Sequence, residues 1–340
     1  MVIFSIRFIW SEKKNSISIQ IHVLQHMLLK SRRRVSKMNS SPSFDSLKKP
    51  TLKWFHKGYL NLLDYHSIPS HLQDNEFITR YYRAHLSMTD SFISILHLHN
   101  ESGNIWSHLL SLVCFLTFLS LLLLHSKLLD TVVSTHKDLF PVVLYLLGAS
   151  ICFLSSSIFH WFYCGSTKMY AYCAQLDFAG ISAIIFTSTF TLSYYALYCH
   201  MNWQYFWGSL LFLVNLVGVI GPFFKSWRNA RFKLLRTIVY ASSAGFILFP
   251  LIHASTLENF DLSNMSFLGR YGLVMSISCY FFGALVYVSR VPEKWFPGTF
   301  DLYLHSHQIW HLFVFFGALL HLGALLEWVE WRNSFGACTL

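Results

Sequence analysis

From residue 104 onward the chain alternates long apolar runs with short polar connections, and the runs are too long and too unbroken for amphipathic helices of a soluble core. Crossing the hydrocarbon of a bilayer takes about 20 apolar residues in a helix. Seven stretches meet that length: 104–126, 139–161, 174–198, 204–224, 237–256, 271–289 and 304–326. The pattern predicts an all-α integral membrane protein, a seven-transmembrane helix bundle over 104–326. No internal repeat is visible, and no connection between spans is long enough for another domain. Before the bundle lie a Ser-rich, basic segment (1–53) and a juxtamembrane region (54–103) rich in aromatic and turn residues. A short tail (327–340) follows it.

Composition agrees with lipid as the main solvent. The 340 residues are 54% hydrophobic and 12% charged, against about 25% charged in an ordinary soluble domain. The net charge of +10 flanks apolar runs and does not cover one folded polar face, so nucleic acid is excluded as a partner. It reads instead as topology. Of the 26 Lys and Arg, 22 fall before the first span or in the connections on that same side, and only Lys127, Lys137, Arg270 and Arg332 fall on the other. Basic residues accumulate on the cytosolic side, which predicts a cytosolic N-terminus and an extracytosolic C-terminus, the reverse of a G-protein-coupled receptor. The expected location is the plasma membrane or an endomembrane such as the Golgi or the ER.

Within the N-terminal region, clusters such as Arg32, Arg33 and Arg34 suit disorder or anionic headgroups better than a core. Met38 offers a second start, and the first ten residues lack a small-residue cleavage site. Ser91–Leu98 predicts either an interfacial helix or a short helix packed beneath the bundle. Seven cysteines stand in odd number without paired spacing, so neither a disulfide framework nor a cysteine zinc site is expected.

Ionisable groups inside a membrane are costly and mark function. With the predicted orientation, His160 lies at the cytosolic end of the second span with Ser156 one turn deeper. Asp177 lies in the first turn of the third span, and His307 and His311 in the opening turns of the seventh. Three helices thus bring ionisable side chains to one depth. Two histidines at i, i+4 share a helix face, and a third from a neighbouring helix completes a three-nitrogen set with one tetrahedral position open to water, the pattern of a catalytic zinc site. The alternative is a set of histidines joined by interhelical hydrogen bonds. Asp177, read as the only carboxylate at that depth, is expected to orient a ligand or serve as general acid or base. The Ser156 hydroxyl supports it. His108 is expected either to face the cavity or to make an interhelical hydrogen bond. His99, Glu101 and Asn104 are expected in caps or loop hydrogen bonds, and His200, His253 and His321 in interfacial or packing roles.

The stretches IPSHLQDNEFITRYYR (68–83), HNESGNIWSHL (99–109), SSSIFHWFYC (155–164), LDFAGI (176–181), RVPEKWFPGTFD (290–301) and SHQIWH (306–311) together resemble the progestin and adipoQ receptor family. This family includes the adiponectin receptors and plant and fungal heptahelical proteins. The resemblance covers about residues 59–332. It implies a zinc site built from positions matching Ser156, His160, Asp177, His307 and His311, each present without substitution.

The resemblance leaves two functional classes open. One is a receptor-like protein of lipid, hormone or stress signalling whose zinc site hydrolyses a lipid amide such as ceramide. The other is a non-catalytic scaffold or regulator in which zinc pins helices and the cytosolic region recruits a signalling partner. Membrane lipids, a lipid amide or sterol ligand, and a protein hormone are the partners it implies.

Overall fold

A computed structural model of the chain describes residues 4–11, 16–23, 61–129, 136–227, 230–257 and, apart from 258–259, 261 and 264, the remainder to 334. The chain divides into two compact units, Met1–Lys57 and Gly58–Leu340.

In the first unit, β1 (Phe4–Ser11) and β2 (Ser16–Val23) pair antiparallel, in register from Phe4 opposite Val23 to Ser11 opposite Ser16. The sequence reading expected an unstructured basic segment here. Apolar residues alternate with polar ones along both stretches, with Ile17, Ile19, Ile21 and Val23 a clear example, and that two-residue period specifies strands. The basic clusters and Met38 lie outside the described residues.

The second unit is helical. A short helix, α1 (Met88–Ile93), precedes α2 (Ser102–Leu129), α3 (His136–Phe162), α4 (Thr167–Ala196), α5 (Met201–Ile220), α6 (Lys233–Gly245), α7 (Leu248–Ser255), α8 (Phe267–Ser289) and α9 (Ser306–Ser334). Among the described residues, seven segments are long and apolar enough to cross a membrane, with α6 and α7 together forming the fifth. Pro250 explains that division, because it has no N–H to give the carbonyl of Phe246 and its ring crowds that turn. Large apolar side chains such as Leu124, Phe212, Ile252 and Phe281 are exposed on the outer surface, as lipid-facing residues must be.

The expected spans hold with three shifts, one of them that α9 runs on to Ser334, eight residues past the end expected and into the stretch read as a tail. Thr167 opens α4 seven residues before the position expected, because Ser166 caps it, its Oγ accepting from the Met169 N–H at 3.2 Å. The first turns, TKMYAYC, are too polar to register as a span. Asp177 therefore lies in the third turn of α4 and not in its first. Lys233 and Arg236, expected in a connection, are the buried N-terminal turns of α6.

The core runs through α3, which packs against α2 and α4, while α8 packs against α9. Phe115, Tyr145, Phe153, Leu192, Ala318 and Leu325 fill the centre. Polar groups within it are satisfied across helices: Tyr145 Oη donates to Ala318 O at 2.8 Å, Thr191 Oγ1 to Pro141 O at 2.9 Å and Ser276 Oγ to Gly317 O at 2.8 Å. A second, smaller cluster joins Ile68, Leu72, Ile78 and Tyr82 to Tyr163 and Cys164 just beyond α3. Helix α1 packs one face beneath the bundle. Ser91 is buried against α3, Ser91 O accepting from Trp161 Nε1 at 2.8 Å, while Met88, Phe92 and Leu96 stay exposed.

One expectation fails at the far end of α4, where Cys199 is disulfide-bonded to a partner outside the described residues. Linear spacing cannot reveal which cysteines the fold brings together. The close approach of α3 and α4 depends on Gly180, where a Cβ would strike the Ser155 side chain and lie 3.0 Å from Cys152 Cα. Gly180→Leu is expected to destabilise the bundle by about 1–3 kcal/mol through overpacking. This would be read as a lower melting temperature in detergent. Gly245→Leu, with nothing within 4 Å of the added Cβ, serves as the control; equal melting of the two variants would refute the packing account.

Candidate metal centre

The histidines reach one another because α3 ends and α9 begins at the same end of the bundle. His160 occupies the last turn of α3, and the first turns of α9 carry His307 and His311. The three can each offer one ligand nitrogen with all three atoms within 4.8 Å of one another. Their ring centroids form a near-equilateral triangle of 4.8–4.9 Å. His160 and His311 are buried and His307 is partly buried.

Hydrogen bonds set which nitrogens point inward. His160 Nδ1 meets Glu101 Oε2 at 2.7 Å, so it carries the proton and leaves Nε2 with a lone pair. His311 Nδ1 meets Asn104 O at 3.2 Å and Ser107 Oγ at 3.1 Å, which likewise frees Nε2. Anchoring one ring nitrogen so that the other can ligate is the usual support for a metal-binding histidine. His160 Nε2 and His307 Nε2 face each other at 3.1 Å. Tetrahedral ligand nitrogens about 2.0–2.1 Å from a zinc lie roughly 3.4 Å apart, so the donor set fits a metal ion.

Asp177, on α4, is within electrostatic reach of His160 and beside the Ser156 hydroxyl. The structure thus brings the five residues expected from sequence into one neighbourhood, although Asp177 and Ser156 stand outside the triangle of donors.

Glu101 corrects the reading of Asp177 as the only carboxylate at this depth. It immediately precedes α2, where the helix dipole favours an anion. Its Oε2 also accepts from Asn104 Nδ2 at 2.5 Å. Burial opposes its charge, yet the His160 imidazole and the hydrogen bonds from His160 and Asn104 outweigh it and hold the carboxyl well below the usual range. Its neighbour His99 behaves as the loop residue expected. Burial, with the Arg83 guanidinium close by, pushes its pKa down to about 3. A neutral ring is what its Nδ1 needs to accept from Glu101 N at 3.1 Å. His108 makes no interhelical hydrogen bond. It stacks on His311 with ring centroids 3.6 Å apart and planes 7° from parallel, and neither of its buried nitrogens has a hydrogen-bond partner.

Two further residues, unassigned by sequence reasoning, hold the helix ends that carry the histidines. Arg83 is fully buried; it donates to His160 O at 2.7 Å, to Trp161 O at 3.2 Å and to Ser94 Oγ, placing a cation on the C-terminal carbonyls of α3. Glu293, also buried, accepts from Ser306 N at 2.7 Å, from Ser306 Oγ and from Asn75 Nδ2 at 2.9 Å, placing an anion at the N-terminus of α9. Each sign complements the dipole of its helix. Both residues lie in stretches that carried the family resemblance, but nothing in their local spacing marks a helix cap.

His253 accepts from Trp207 Nε1 at 2.9 Å, His321 lies against the Tyr145 ring, and His200 precedes α5. His253 and His321 are packing residues, as expected.

Fold and site define a multi-pass integral membrane protein with a buried three-histidine cluster able to hold a metal at one end of its bundle. The haemolysin-III related family matches residues 96–322. The chain belongs to this family, and the resemblance to the progestin and adipoQ receptors is borne out. It is 34% identical over 278 residues to Heptahelical transmembrane protein 1 of Arabidopsis thaliana, covering 81% of this chain and 83% of that one. Identity to Heptahelical transmembrane protein 3 of the same plant is 33% over 315 residues, covering 82% and 90%. Identity to the Adiponectin receptor protein of Drosophila melanogaster is 32% over 277 residues, covering 81% and 61%.

Glu101→Gln removes the charge that fixes the His160 tautomer while keeping the side chain's shape. It is expected to weaken metal binding by about 10–100-fold, measured by competition with a chromophoric chelator. Unchanged affinity would show that Glu101 does not orient the ligand.

Proposed function

We propose that this protein is a receptor-like membrane protein of lipid, hormone or stress signalling, in which a zinc ion held by His160, His307 and His311 serves the hydrolysis of a lipid amide such as ceramide. The observation that carries this reading is the set of three convergent histidine nitrogens with Asp177 and Ser156 beside it on neighbouring helices. A closed structural site would use a fourth protein ligand, whereas three leave a position for a reacting group. When bound, the metal supplies Lewis acidity and lowers the pKa of a water at that position.

The chain's own residues do the rest. His160, His307 and His311 would hold the ion, with Glu101 fixing the His160 ring. Asp177 accepts the proton of the attacking water and returns it to the amide nitrogen as the C–N bond breaks, the general acid/base role. The Ser156 hydroxyl hydrogen-bonds to the Asp177 carboxylate and holds it in place. The N-terminus is read as cytosolic from the 22-to-4 distribution of basic residues. The disulfide of Cys199, at the end of the bundle opposite the histidines, also supports this orientation, because disulfides persist in oxidising compartments. The site then opens toward the cytosolic leaflet.

Elemental analysis of purified protein is expected to find about one zinc per chain, with most of it lost from the His307→Ala, His311→Ala double variant. Full zinc in that variant would end the ligand assignment. Release of fatty acid from a short-chain ceramide is expected to be abolished by chelator. Asp177→Asn is expected to keep most of its zinc while losing on the order of a hundredfold or more in rate. If wild type and Asp177→Asn release fatty acid equally, hydrolysis at this site is excluded. If neither has activity and the variant instead loses zinc or thermal stability, the scaffold reading, with a structural metal joining α3 and α9, replaces it.

A further inference from the structure

Beside the metal centre, at the same end of the bundle, lies a second concave site that the proposed hydrolysis does not use. It is a cavity of about 350 Å³ between the start of α6, the end of α8 and the N-terminal juxtamembrane stretch. Arg231, Lys233, Arg290 and Lys294 line it, against a single carboxylate, Glu76. Basic residues at a membrane border are ordinary when they project into water. Lys233 does not project. It is 8% exposed, and its ammonium sits 3.5 Å over the ring of Tyr287. Among the described residues no carboxylate hydrogen-bonds it, and Asp74 and Glu293 act on it only from beyond ion-pair distance. A buried cation without an ion pair is costly unless something supplies the opposite charge. The wall also includes Phe77, Leu234 and Val288, and Leu234 is 57% exposed. Cations and apolar side chains lining one concave site suit an amphiphile better than a free ion.

We infer that this cavity binds the phosphate headgroup of an anionic membrane lipid, with Lys233 and Lys294 as its principal cationic contacts. Its volume falls within the usual range for small-ligand sites, about 300–1,000 Å³. A phosphate monoester carries about two negative charges and three acceptor oxygens, a match for several convergent N–H donors that zwitterionic headgroups offer less well. The site also touches the metal centre, because the Tyr287 ring that supports Lys233 packs against His307 with centroids 5.2 Å apart. A lipid bound there fixes Lys233 and Tyr287 and, through them, one face of a metal-ligating histidine. The inference does not depend on which metal binds or on any hydrolysis.

Full-length protein in detergent, stripped of metal by chelator so that no anion can bind as a metal ligand, is titrated with short-chain phosphatidic acid and with short-chain phosphatidylcholine. Binding is read by microscale thermophoresis. Phosphatidic acid is expected to bind about tenfold or more tightly than phosphatidylcholine, given how charge-assisted contacts outweigh neutral ones. Lys294→Gln, an exposed position whose change does not threaten folding, is expected to weaken phosphatidic acid roughly fivefold, the worth of one basic residue near an anionic surface. Lys233→Gln is expected to weaken it by more, with Lys233→Arg restoring most of the loss. Lys168→Gln, at an exposed position opening α4 on the same end of the bundle, is expected to change nothing. Equal binding of the two lipids, or a loss in Lys168→Gln matching that in Lys294→Gln, would reduce the site to general surface charge and overturn the inference. Competition by inorganic phosphate as strong as that by phosphatidic acid would overturn the lipid assignment in favour of a soluble anion.

Discussion

A helix that ends inside or at the edge of a bilayer leaves carbonyls or N–H groups with no water to satisfy them, and a charged side chain placed there must be paired. In this protein the two requirements meet at one end of the bundle. Arg83 reaches up from the juxtamembrane segment to the last carbonyls of α3, and Glu293 reaches from the α8–α9 connection to the first N–H of α9. Each buried charge satisfies a helix end and is itself satisfied by it. The histidines of the candidate metal centre stand on those same two ends, one of them bonded through its own backbone carbonyl to Arg83. The non-spanning segments therefore do more than connect helices: they set the axial position of the elements that bring His160, His307 and His311 together.

This arrangement gives the metal reading its physical content. Three imidazoles facing one another in a buried space turn more nitrogen lone pairs inward than their one mutual contact, His160 Nε2 to His307 Nε2, can satisfy, and a cation resolves that. The outward nitrogens of His160 and His311 are held by Glu101, Asn104 and Ser107, so the inward ones are preorganised and not free to rotate away. Glu101 also gives the site a negative charge that Asp177 alone would not supply, which suits a divalent ion in a lipid-enclosed pocket. Catalytic and structural roles share this donor set; they differ in whether Asp177 moves a proton.

The chemistry around the site grades from metal donors to cations within a few residues. His307 packs on Tyr287, Tyr287 carries Lys233, and Lys233 opens into a basic cavity with an apolar wall. A bilayer border is where such a gradient makes sense, since the headgroup and the first carbons of a lipid present the same sequence of polarity in reverse.

Much of this was legible in the sequence because the signals are local. Twenty-residue apolar runs report the spans, and the i, i+4 spacing of His307 and His311 reports a shared face whatever lies opposite. Where local composition misled, the cause is equally plain. The first turns of α4 are too polar to look membrane-embedded, which displaced Asp177 by two turns. The alternation in residues 4–23 was overlooked beside the basic clusters that follow it. The pairing of Glu101 with His160, 59 residues apart, and of His307 with His160, 147 apart, follows from helix packing, as do the capping roles of Arg83 and Glu293 and the burial of Lys233 under a charged cavity. Periodicity fixes which face of a helix is apolar and how long it is, but not which neighbour it meets or at what height. Sequence by itself determined a seven-helix membrane bundle and the residue types for a metal site; only the tertiary structure decided which charges hold those residues in place, because that depends on contacts between segments that no linear spacing encodes.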